Sequence, residues 1–275
     1  MNKLELIVYN VGHGLTIALI ERPNNYVTLI DLGASTGFTP LKDLSLKRQL
    51  RPDLLYVTHP HADHITDVET ALEERFKPLG INYQEYDWED VKKREKPELA
   101  YKIDKFKELR NKVLYRDYGG EADLAPWRFT PNDAKQRFGD GAYVNNSSYF
   151  IIYSWQDFKI AIGGDMETAA IESLLGQSNF QRVAKHTDIL VASHHGHKSG
   201  FATSWVEKIG KPHVNLISVQ ERDPHVDSRY SSPDFAQGVT FSGKQRYTIT
   251  TRADGSIHVT MWHADGQPKW KFEPL

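Results

Sequence analysis

The chain has 275 residues, a net charge of -2 and no cysteine. This length allows one large α/β domain or two small ones, and the weak net charge excludes a global positive field that would attract nucleic acid or an anionic membrane. The lack of cysteine excludes disulfides, thiolate catalysis and cysteine-bound zinc, so imidazole and carboxylate groups must hold any metal.

The N-terminal segment shows no pattern of a secretory signal, because its first apolar run is short and contains Glu5. No run of the sequence approaches the roughly 18 apolar residues that a membrane-spanning helix needs. We therefore expect a soluble, cytoplasmic protein that makes no membrane contact.

The first third of the chain alternates short apolar runs with turns, which predicts a meander of strands. A segment of helical spacing follows and ends before Pro52, and a buried strand then leads directly into Thr58 and His59. A second helix comes after the histidines. The predicted elements cover residues 4–9, 15–20, 26–30, 41–50, 54–57 and 66–76.

A long charged segment at about residues 83–114 has a helical pattern that Pro97 divides into two pieces. Nine lysines or arginines and four acids lie between residues 92 and 112, and we interpret the segment as an insertion on the surface of the core fold. Two hypotheses stay open: a solvated helical face, or a basic flap over the active site that steers an anionic substrate. Some of its residues could stack on and follow a single nucleic-acid strand, although surface packing explains them equally well: Tyr83, Tyr86, Trp88, Tyr101, Lys102 and Lys105.

The second half of the chain resumes an alternation of strands and helices. A final β-hairpin is predicted at about residues 246–263, with Asp254 and Gly255 in its turn. The order of elements predicts a layered α/β sandwich that forms a single domain over residues 1–275. The other predicted elements are a hairpin of residues 148–155 and 158–162, helices at 168–175 and 204–209, and strands at 189–192 and 214–219.

Four potential metal ligands lie within the six residues from His59 to His64, directly after the buried strand. Residues at i and i+2 of an extended segment point the same way, so His59 and His61 can share one metal. Asp63 and His64 turn with the chain toward the next helix and can reach a second metal. A lone histidine is more often structural, but three histidines with an aspartate at this spacing predict a site for zinc, manganese or iron.

The pattern His-x-His-x-Asp-His resembles the signature of the metallo-β-lactamase superfamily. Further along the chain, Gly163-Gly164-Asp165 follows a predicted strand and resembles the Gly-Asp of this superfamily, whose aspartate bridges the two metals. The resemblance implies a four-layer αββα sandwich and a hydrolase with two divalent metal ions, zinc or manganese, in which Asp165 holds the pair of ions together.

Two more segments resemble the ComEC/Rec2-like branch, the soluble domain of bacterial DNA-uptake channels. Residues 10–14 (NVGHG) resemble its Asp-Val-Gly-Gln-Gly opening, and residues 193–199 (SHHGHKS) resemble its His-His-Gly-Ser segment. Residues 145–148 (NNSS) also match, at a position where most superfamily members carry a third histidine for the first metal. The resemblance covers residues 4–235 and identifies the chain as a standalone member of this branch.

The resemblance implies a set of site residues. Because Asn146 replaces the usual third histidine, the first metal would have only His59, His61 and Asp165 as strong ligands, so it would bind weakly or prefer a harder ion such as manganese. His13 and Asn146 are candidates for supporting the ligands, and the remaining histidines are treated as structural. The implied metal ligands are His59, His61, Asp63, His64, Asp165, His194 and His225, and the implied catalytic residues are Asp63, His194, His195 and Lys198. Sequence alone cannot decide whether His194 or His195 faces the site.

The inferred chemistry follows from the metals, because a pair of divalent ions activates water and polarises the electrophilic oxygen of a substrate. A histidine of the 194–195 pair, or Lys198, would stabilise the developing negative charge or protonate the leaving group. The first hypothesis is a phosphodiesterase or nuclease acting on DNA or nucleotides, hence on an anionic phosphodiester. The second is a hydrolase of an ester, lactone, thioester or phosphocholine ester, and the third is a catalytically decayed binding module; protein partners are not predicted.

Overall fold

The computed structural model describes residues 2–221 and 223–275. Met1, which belongs to the predicted domain, and Arg222, which precedes the predicted ligand His225, lie outside the described residues. Every helix in the described residues is too short or too polar to cross a lipid bilayer.

The strands of the described residues belong to two large sheets and one short hairpin. In chain order they are β1 (Lys3–Val8), β2 (Ile17–Arg22), β3 (Tyr26–Ile30), β4 (Leu54–Tyr56), β5 (Gly80–Asn82), β6 (Leu114–Tyr115), β7 (Asp123–Trp127), β8 (Phe150–Trp155), β9 (Phe158–Ile162), β10 (Ile189–Val191), β11 (Val214–Ile217), β12 (Val239–Phe241), β13 (Lys244–Arg246), β14 (Thr248–Thr250), β15 (Ile257–Ala264) and β16 (Gln267–Pro274).

Helices cover the outer faces of the two sheets. In chain order they are α1 (Pro40–Lys42), α2 (Val68–Leu72), α3 (Trp88–Arg94), α4 (Tyr101–Lys112), α5 (Pro131–Phe138), α6 (Tyr143–Asn146), α7 (Thr168–Leu175), α8 (Ser178–Ala184), α9 (Trp205–Lys208) and α10 (Thr251–Asp254). A π-helical turn, Asp43–Lys47, continues α1, and short 3-10 turns lie at Ala62–His64, His194–Gly196, Lys198–Gly200 and Ser228–Ser231.

The first sheet has the strand order β16-β15-β1-β2-β3-β4-β5-β6, and the second has the order β14-β11-β10-β9-β8-β7. Successive side chains of β1 point to opposite faces of the first sheet, which shows how the layers form. Leu4 and Leu6 belong to the same buried apolar cluster as Ile160 of the second sheet, whereas Ile7 belongs to the cluster that contains the buried residues of the helices. Because both faces of each sheet are covered, the structure is the predicted four-layer αββα sandwich.

The charged insertion at residues 83–114 forms α3 and α4, and Pro97 lies between them. The faces of the two helices that point inward are apolar, and Val91, Ile103 and Phe106 are fully buried. β6 follows α4 and pairs in parallel with β5, so the insertion also supplies the edge strand of the first sheet. The insertion is therefore packed onto the core rather than projecting from it.

The predicted hairpin at residues 246–263 is wrong. β14 pairs in parallel with β11 in the second sheet, and β15 pairs antiparallel with β1 and β16 in the first sheet. Between them the chain forms α10 and crosses from one sheet to the other, so Ile249 and Ile257 both lie between the sheets without pairing with each other. The C-terminal hairpin of the structure is β15–β16, whose two-residue turn is Asp265-Gly266.

Candidate metal centre

The predicted ligands leave the ends of strands from both sheets. His59 and His61 follow β4, and Asp63 and His64 lie in the next 3-10 turn. In the second sheet, Asp165 follows β9 and the 3-10 turn His194–Gly196 follows β10. The edges of the two sheets where these strands end thus face one common site.

Four side chains converge at this site: Asp63, His64, Asp165 and His195 offer ligand atoms that all lie within 4.8 Å of one another. The His64 Nε2 lies 3.1 Å from the Asp165 Oδ1, and the His195 Nε2 lies 3.3 Å from the Asp63 Oδ2. Two imidazoles and two carboxylates in this arrangement form a suitable donor set for a divalent cation.

Both histidines of this group are oriented by a hydrogen bond at their other ring nitrogen. The His64 Nδ1 donates to the Asp31 Oδ2 at 2.7 Å, and the His195 Nδ1 donates to the Ser218 carbonyl oxygen at 3.2 Å. In the neutral form of each ring, Nε2 would therefore present its lone pair to the group, as is usual for metal-binding histidines.

The group also contains polar atoms that the protein itself does not satisfy. The His64 Nε2, the His195 Nε2 and the Asp165 Oδ1 are buried and form no well-oriented hydrogen bond among the described residues, although they lie 3.1–3.3 Å from atoms of opposite charge. An unsatisfied buried polar atom costs about 1–3 kcal/mol, so three of them in one cluster indicate a ligand that they share. A divalent metal ion fits this requirement.

A second pair of nitrogens lies beside this group. The His59 Nε2 is 3.0 Å from the His61 Nδ1, and it is 3.8 Å from the Asp165 Oδ2. Two nitrogens bound to one tetrahedral zinc are about 3.3 Å apart, which is close to the separation of this pair. The Asp165 Oδ2 also lies 3.6 Å from the His195 Nε2, so the Asp165 carboxylate stands between the His59–His61 pair and the group of four.

The amide of Asn146, at the position of the usual third histidine, is engaged with a neighbouring acid. Its Oδ1 accepts a hydrogen bond of 2.9 Å from the backbone N–H of Glu167, and its Nδ2 lies 3.4 Å from the Glu167 Oε2. Glu167 was not singled out in the sequence, although it stands only two residues after Asp165. The His59–His61 pair therefore has fewer ligand neighbours than the other group.

The charges of the centre shift the pKa values of its members. Burial disfavours the charged form of His64, but the carboxylates of Asp165, Asp63 and Asp31 outweigh burial and hold the pKa of His64 well above its usual range. Burial and the positive charge of His64 hold the pKa of His59 well below its usual range. Burial alone would raise the pKa of Asp165, but His64 and His195 lower it. Metal ions must therefore displace protons from His64 when they bind.

The 3-10 turn His194–Gly196 decides which of its two histidines reaches the centre. His194, His195 and Gly196 have positive φ angles of 51°, 54° and 74°, so the two adjacent side chains point in different directions. His195 enters the buried group, whereas the His194 Nδ1 lies 2.9 Å from the Ser199 hydroxyl. His194 therefore lies outside the group of four, and its role as a ligand stays a prediction.

The structure also places His225 and Lys198 outside this group. The backbone N–H of His225 donates to the Asp223 Oδ1 at 2.8 Å, and the ring of His225 packs on His197 at 5.6 Å. His225 is exposed and lies outside the group of four, and its role as a ligand stays a prediction. The Lys198 side chain is exposed, and no contact in the described part of the chain joins it to the buried group.

A pocket of about 280 Å³ opens over the centre. Its walls include Ala62 and Leu99 together with three residues of the centre and three of the insertion, namely His13, His61, Asp63, Arg94, Glu95 and Lys96. The His13 Nε2 lies 3.4 Å from the Asp63 Oδ2, so His13 stands at the rim of the centre. The insertion therefore reaches the site through residues 94–99.

Most of the insertion does not form the predicted basic, base-stacking surface. Tyr86 and Trp88 are buried in the core, so they cannot stack on nucleic-acid bases. Most of its cations are paired with acids in ion pairs, which neutralises the helical faces and agrees with a solvated surface. The paired cations are Lys92, Arg94, Lys102, Lys105, Lys107, Arg110 and Lys112.

Comparisons with known proteins agree with this geometry. A family model described as the metallo-beta-lactamase superfamily matches residues 14–144, which include the ligands that follow β4. Among solved structures, the metallo-beta-lactamase fold protein YhfI from Bacillus subtilis has a TM-score of 0.51 and 14% identity, and the alignment covers 91% of this chain and 96% of that one. A mutant of CmlA beta-hydroxylase has a TM-score of 0.50 and 14% identity, over 80% of this chain and 46% of that one.

No curated protein sequence matches the chain. At these identities the solved structures show the fold alone, and none of the comparisons supports the ComEC/Rec2-like branch. The family model, the αββα sandwich and the cluster of histidines and aspartates at its edge agree with one another. Residues 14–144 thus match the metallo-beta-lactamase superfamily, and the chain as a whole has the fold of that superfamily.

Proposed function

We propose that the protein is a metal-dependent phosphodiesterase that uses two divalent ions, zinc or manganese, to hydrolyse DNA or nucleotides. The observation that carries this proposal is the position of Asp165 between two sets of nitrogens. Its Oδ1 lies 3.1 Å from the His64 Nε2, and its Oδ2 lies 3.6 Å from the His195 Nε2 and 3.8 Å from the His59 Nε2. A carboxylate that stands between two sets of nitrogens favours a site for two ions over a site for one. Two adjacent ions suit the displacement at a phosphodiester.

When bound, the ions would lower the pKa of water and neutralise the charge of the phosphoryl oxygens. The protein's own residues prepare the site for this reaction. Asp31 fixes the orientation of His64, and the Ser218 carbonyl fixes that of His195. His13, at the rim beside Asp63, is placed to donate a hydrogen bond to a substrate oxygen.

The lining of the pocket supports an anionic substrate. The exposed cation Lys96 and the imidazole of His13 line it, whereas Ala62 and Leu99 are its apolar members. The charge of Arg94 is already paired with acids, and the Glu95 carboxylate is engaged with the Ala62 backbone. A neutral lactone or thioester would gain most from an apolar wall, and a phosphodiester gains from cations and hydrogen-bond donors. The segments at residues 10–14 and 193–199, which resemble a branch associated with nuclease activity on DNA, point to the same chemistry.

The test uses metal-stripped protein that is reconstituted separately with zinc and with manganese. Cleavage of bis(p-nitrophenyl) phosphate and of fluorescent single- and double-stranded DNA is measured for the wild type, His61→Ala and Asp165→Ala. His263→Ala is the matched control, because His263 lies on β15 and contacts Asp157 rather than the centre.

We expect metal-dependent cleavage of a phosphodiester that both site variants lose and that His263→Ala retains. Stoichiometric metal binding without cleavage by either ion would contradict the proposal and direct the search to esters, lactones and thioesters. A wild type that binds neither ion would instead support a decayed binding module.

A further inference from the structure

Residues 94–99 connect α3 to α4 and form one wall of the pocket. We propose that this segment, the insertion wall, is a fixed structure that limits the site to small phosphodiesters of nucleotide size, and that Lys96 binds the phosphate of the substrate. This inference rests on the proposed phosphodiesterase function and names the substrate class and a specificity-determining residue for it.

The wall is attached directly to the loop that carries the metal ligands. The Glu95 Oε1 accepts a hydrogen bond of 2.9 Å from the backbone N–H of Ala62, which stands between His61 and Asp63. A shift of the wall would therefore break the hydrogen bond between Glu95 and Ala62, and Ala62 lies between two of the predicted ligands. The wall and the candidate metal centre are coupled through this contact.

Arg94 fixes the wall on its other side. Its Nε lies 2.9 Å from the Asp90 Oδ2, its Nη2 lies 2.8 Å from the Asp140 Oδ2, and its guanidinium packs over the Tyr143 ring at 4.9 Å. Planar guanidinium groups that are held by two acids and an aromatic ring keep a single orientation. Arg94 is thus a structural member of the wall, and its charge is already neutralised.

The helices on both sides of the wall are anchored in the core. Val91 of α3 and Ile103 and Phe106 of α4 are fully buried, and the Lys102 Nζ donates to the Thr66 carbonyl oxygen at 2.7 Å. Opening the wall would expose these apolar side chains, at about 25 cal/mol for each Å² of apolar surface. These contacts favour a fixed wall over the flap that the charge pattern of the sequence allowed.

Lys96 remains available for the substrate. It lines the pocket and is exposed, and it forms no ion pair among the residues that the structure describes. Glu95, its neighbour, is already engaged with the backbone of Ala62. An ammonium group in this position is suited to a phosphate, which it attracts as a point charge.

The size of the pocket limits the substrate. Its volume of about 280 Å³ lies at the lower end of the range for small-molecule sites, which is about 300–1,000 Å³. A nucleotide-sized phosphodiester fits such a space, and Glu95 and Leu99 of the insertion wall bound it on one side, where a longer strand would have to continue past them. We therefore expect small phosphodiesters to be cleaved faster than bonds inside a long strand.

The first experiment compares Lys96→Ala with Lys93→Ala in the metal-loaded protein. Lys93 is exposed on the same insertion but does not line the pocket, so it is a matched control for the loss of one charge. With bis(p-nitrophenyl) phosphate we expect Lys96→Ala to raise KM about tenfold with little change in kcat, since a hydrogen bond to a charged group is lost. Inorganic phosphate, titrated calorimetrically, should bind Lys96→Ala about tenfold more weakly, and Lys93→Ala should behave as the wild type.

The second experiment compares a dithymidine monophosphate with covalently closed circular single-stranded DNA, which has no ends. A fixed wall predicts that kcat/KM per phosphodiester is at least about tenfold higher for the small substrate. Equal cleavage of the circular strand would overturn the wall, and equal phosphate affinities of the two lysine variants would overturn the role of Lys96. A wild type that cleaves neither substrate would instead contradict the proposed function. The phosphate titration would still test whether Lys96 binds phosphate.

Discussion

At the scale of single residues, Asp31 has the largest influence on the centre without being one of its predicted ligands. It is fully buried at the end of β3, where it accepts hydrogen bonds of 2.7 Å from the Thr58 backbone, the Thr58 hydroxyl and the His64 Nδ1. Asp31 therefore sets both the path of the chain into the ligand segment and the orientation of one ligand.

We expect Asp31→Asn to weaken metal binding by roughly 10–100-fold, because an amide in place of the carboxylate no longer holds His64 in its metal-binding orientation. Calorimetric titration of the metal-stripped variant with zinc and manganese measures the loss. Circular dichroism serves as the control for folding. An unchanged affinity in a folded variant would show that His64 needs no support from Asp31.

The second prediction at this scale separates His195 from His225. His195→Ala should lose one bound ion, because the His195 Nε2 is one of the four ligand atoms within 4.8 Å. His225→Ala should keep the metal content of the wild type, because His225 contacts His197 and Asp223 instead. Metal content after dialysis, measured by mass spectrometry, checks both variants, and a loss of metal in His225→Ala would contradict the placement of this residue.

The sequence allowed candidate ligands in one short segment to be proposed, but not the residues that support them. The segment from His59 to His64 is identifiable because three histidines and an aspartate at this spacing after a buried strand are typical of metal ligands. Asp31 is not identifiable in this way, since its contacts with Thr58 and His64 lie 27 and 33 residues away along the chain. A buried acid of this kind is recognisable only when the fold has brought its partners together.

At the scale of elements, two similar Asp-Gly pairs show that a local sequence pattern does not suffice to predict a hairpin. At Asp265-Gly266 both residues have positive φ angles, of 53° and 71°, and the pair turns β15 directly into β16. At Asp254-Gly255 only Gly255 has a positive φ, of 75°, and the preceding residues form α10. The predicted hairpin failed because the true partner of β15 is β1, at the other end of the chain, and no local pattern encodes that pairing.

The loop between β1 and β2 provides a prediction at this scale. A Cβ added to Gly14 would lie 2.3 Å from the Asp63 carbonyl oxygen, so Gly14→Ala must displace the 3-10 turn that holds two of the ligands. We expect this variant to bind metal at least about tenfold more weakly, since ligands must stay within a few tenths of an ångström of their positions.

The matched control for Gly14→Ala is Gly266→Ala. Gly266 also has a positive φ, of 71°, but a Cβ there meets nothing within 4 Å. This variant should lose about 1–2 kcal/mol of folding free energy from backbone strain and retain its metal affinity. Thermal unfolding and calorimetric metal titration of both variants test the comparison, and equal metal affinities would show that the β1–β2 loop does not support the centre.

At the scale of the whole molecule, the candidate metal centre connects the two halves of the sandwich. His59, His61, Asp63 and His64 follow a strand of the first sheet, whereas Asp165 and His195 follow strands of the second. An ion held by ligands from both sheets binds only where the two sheets are packed together. Metal binding must therefore favour the folded state over the unfolded chain.

We expect added zinc or manganese to raise the Tm of the metal-stripped wild type. An ion at about 100 times its Kd contributes about 2.7 kcal/mol, which corresponds to a shift of roughly 5–10 °C for a chain of this size. Asp165→Asn should lose most of this shift, because Asp165 lies between the two sets of nitrogens and belongs to the second sheet. His263→Ala, outside the centre, should shift as the wild type does. If added metal raises the Tm of the wild type and of Asp165→Asn equally, the ions do not bridge the sheets.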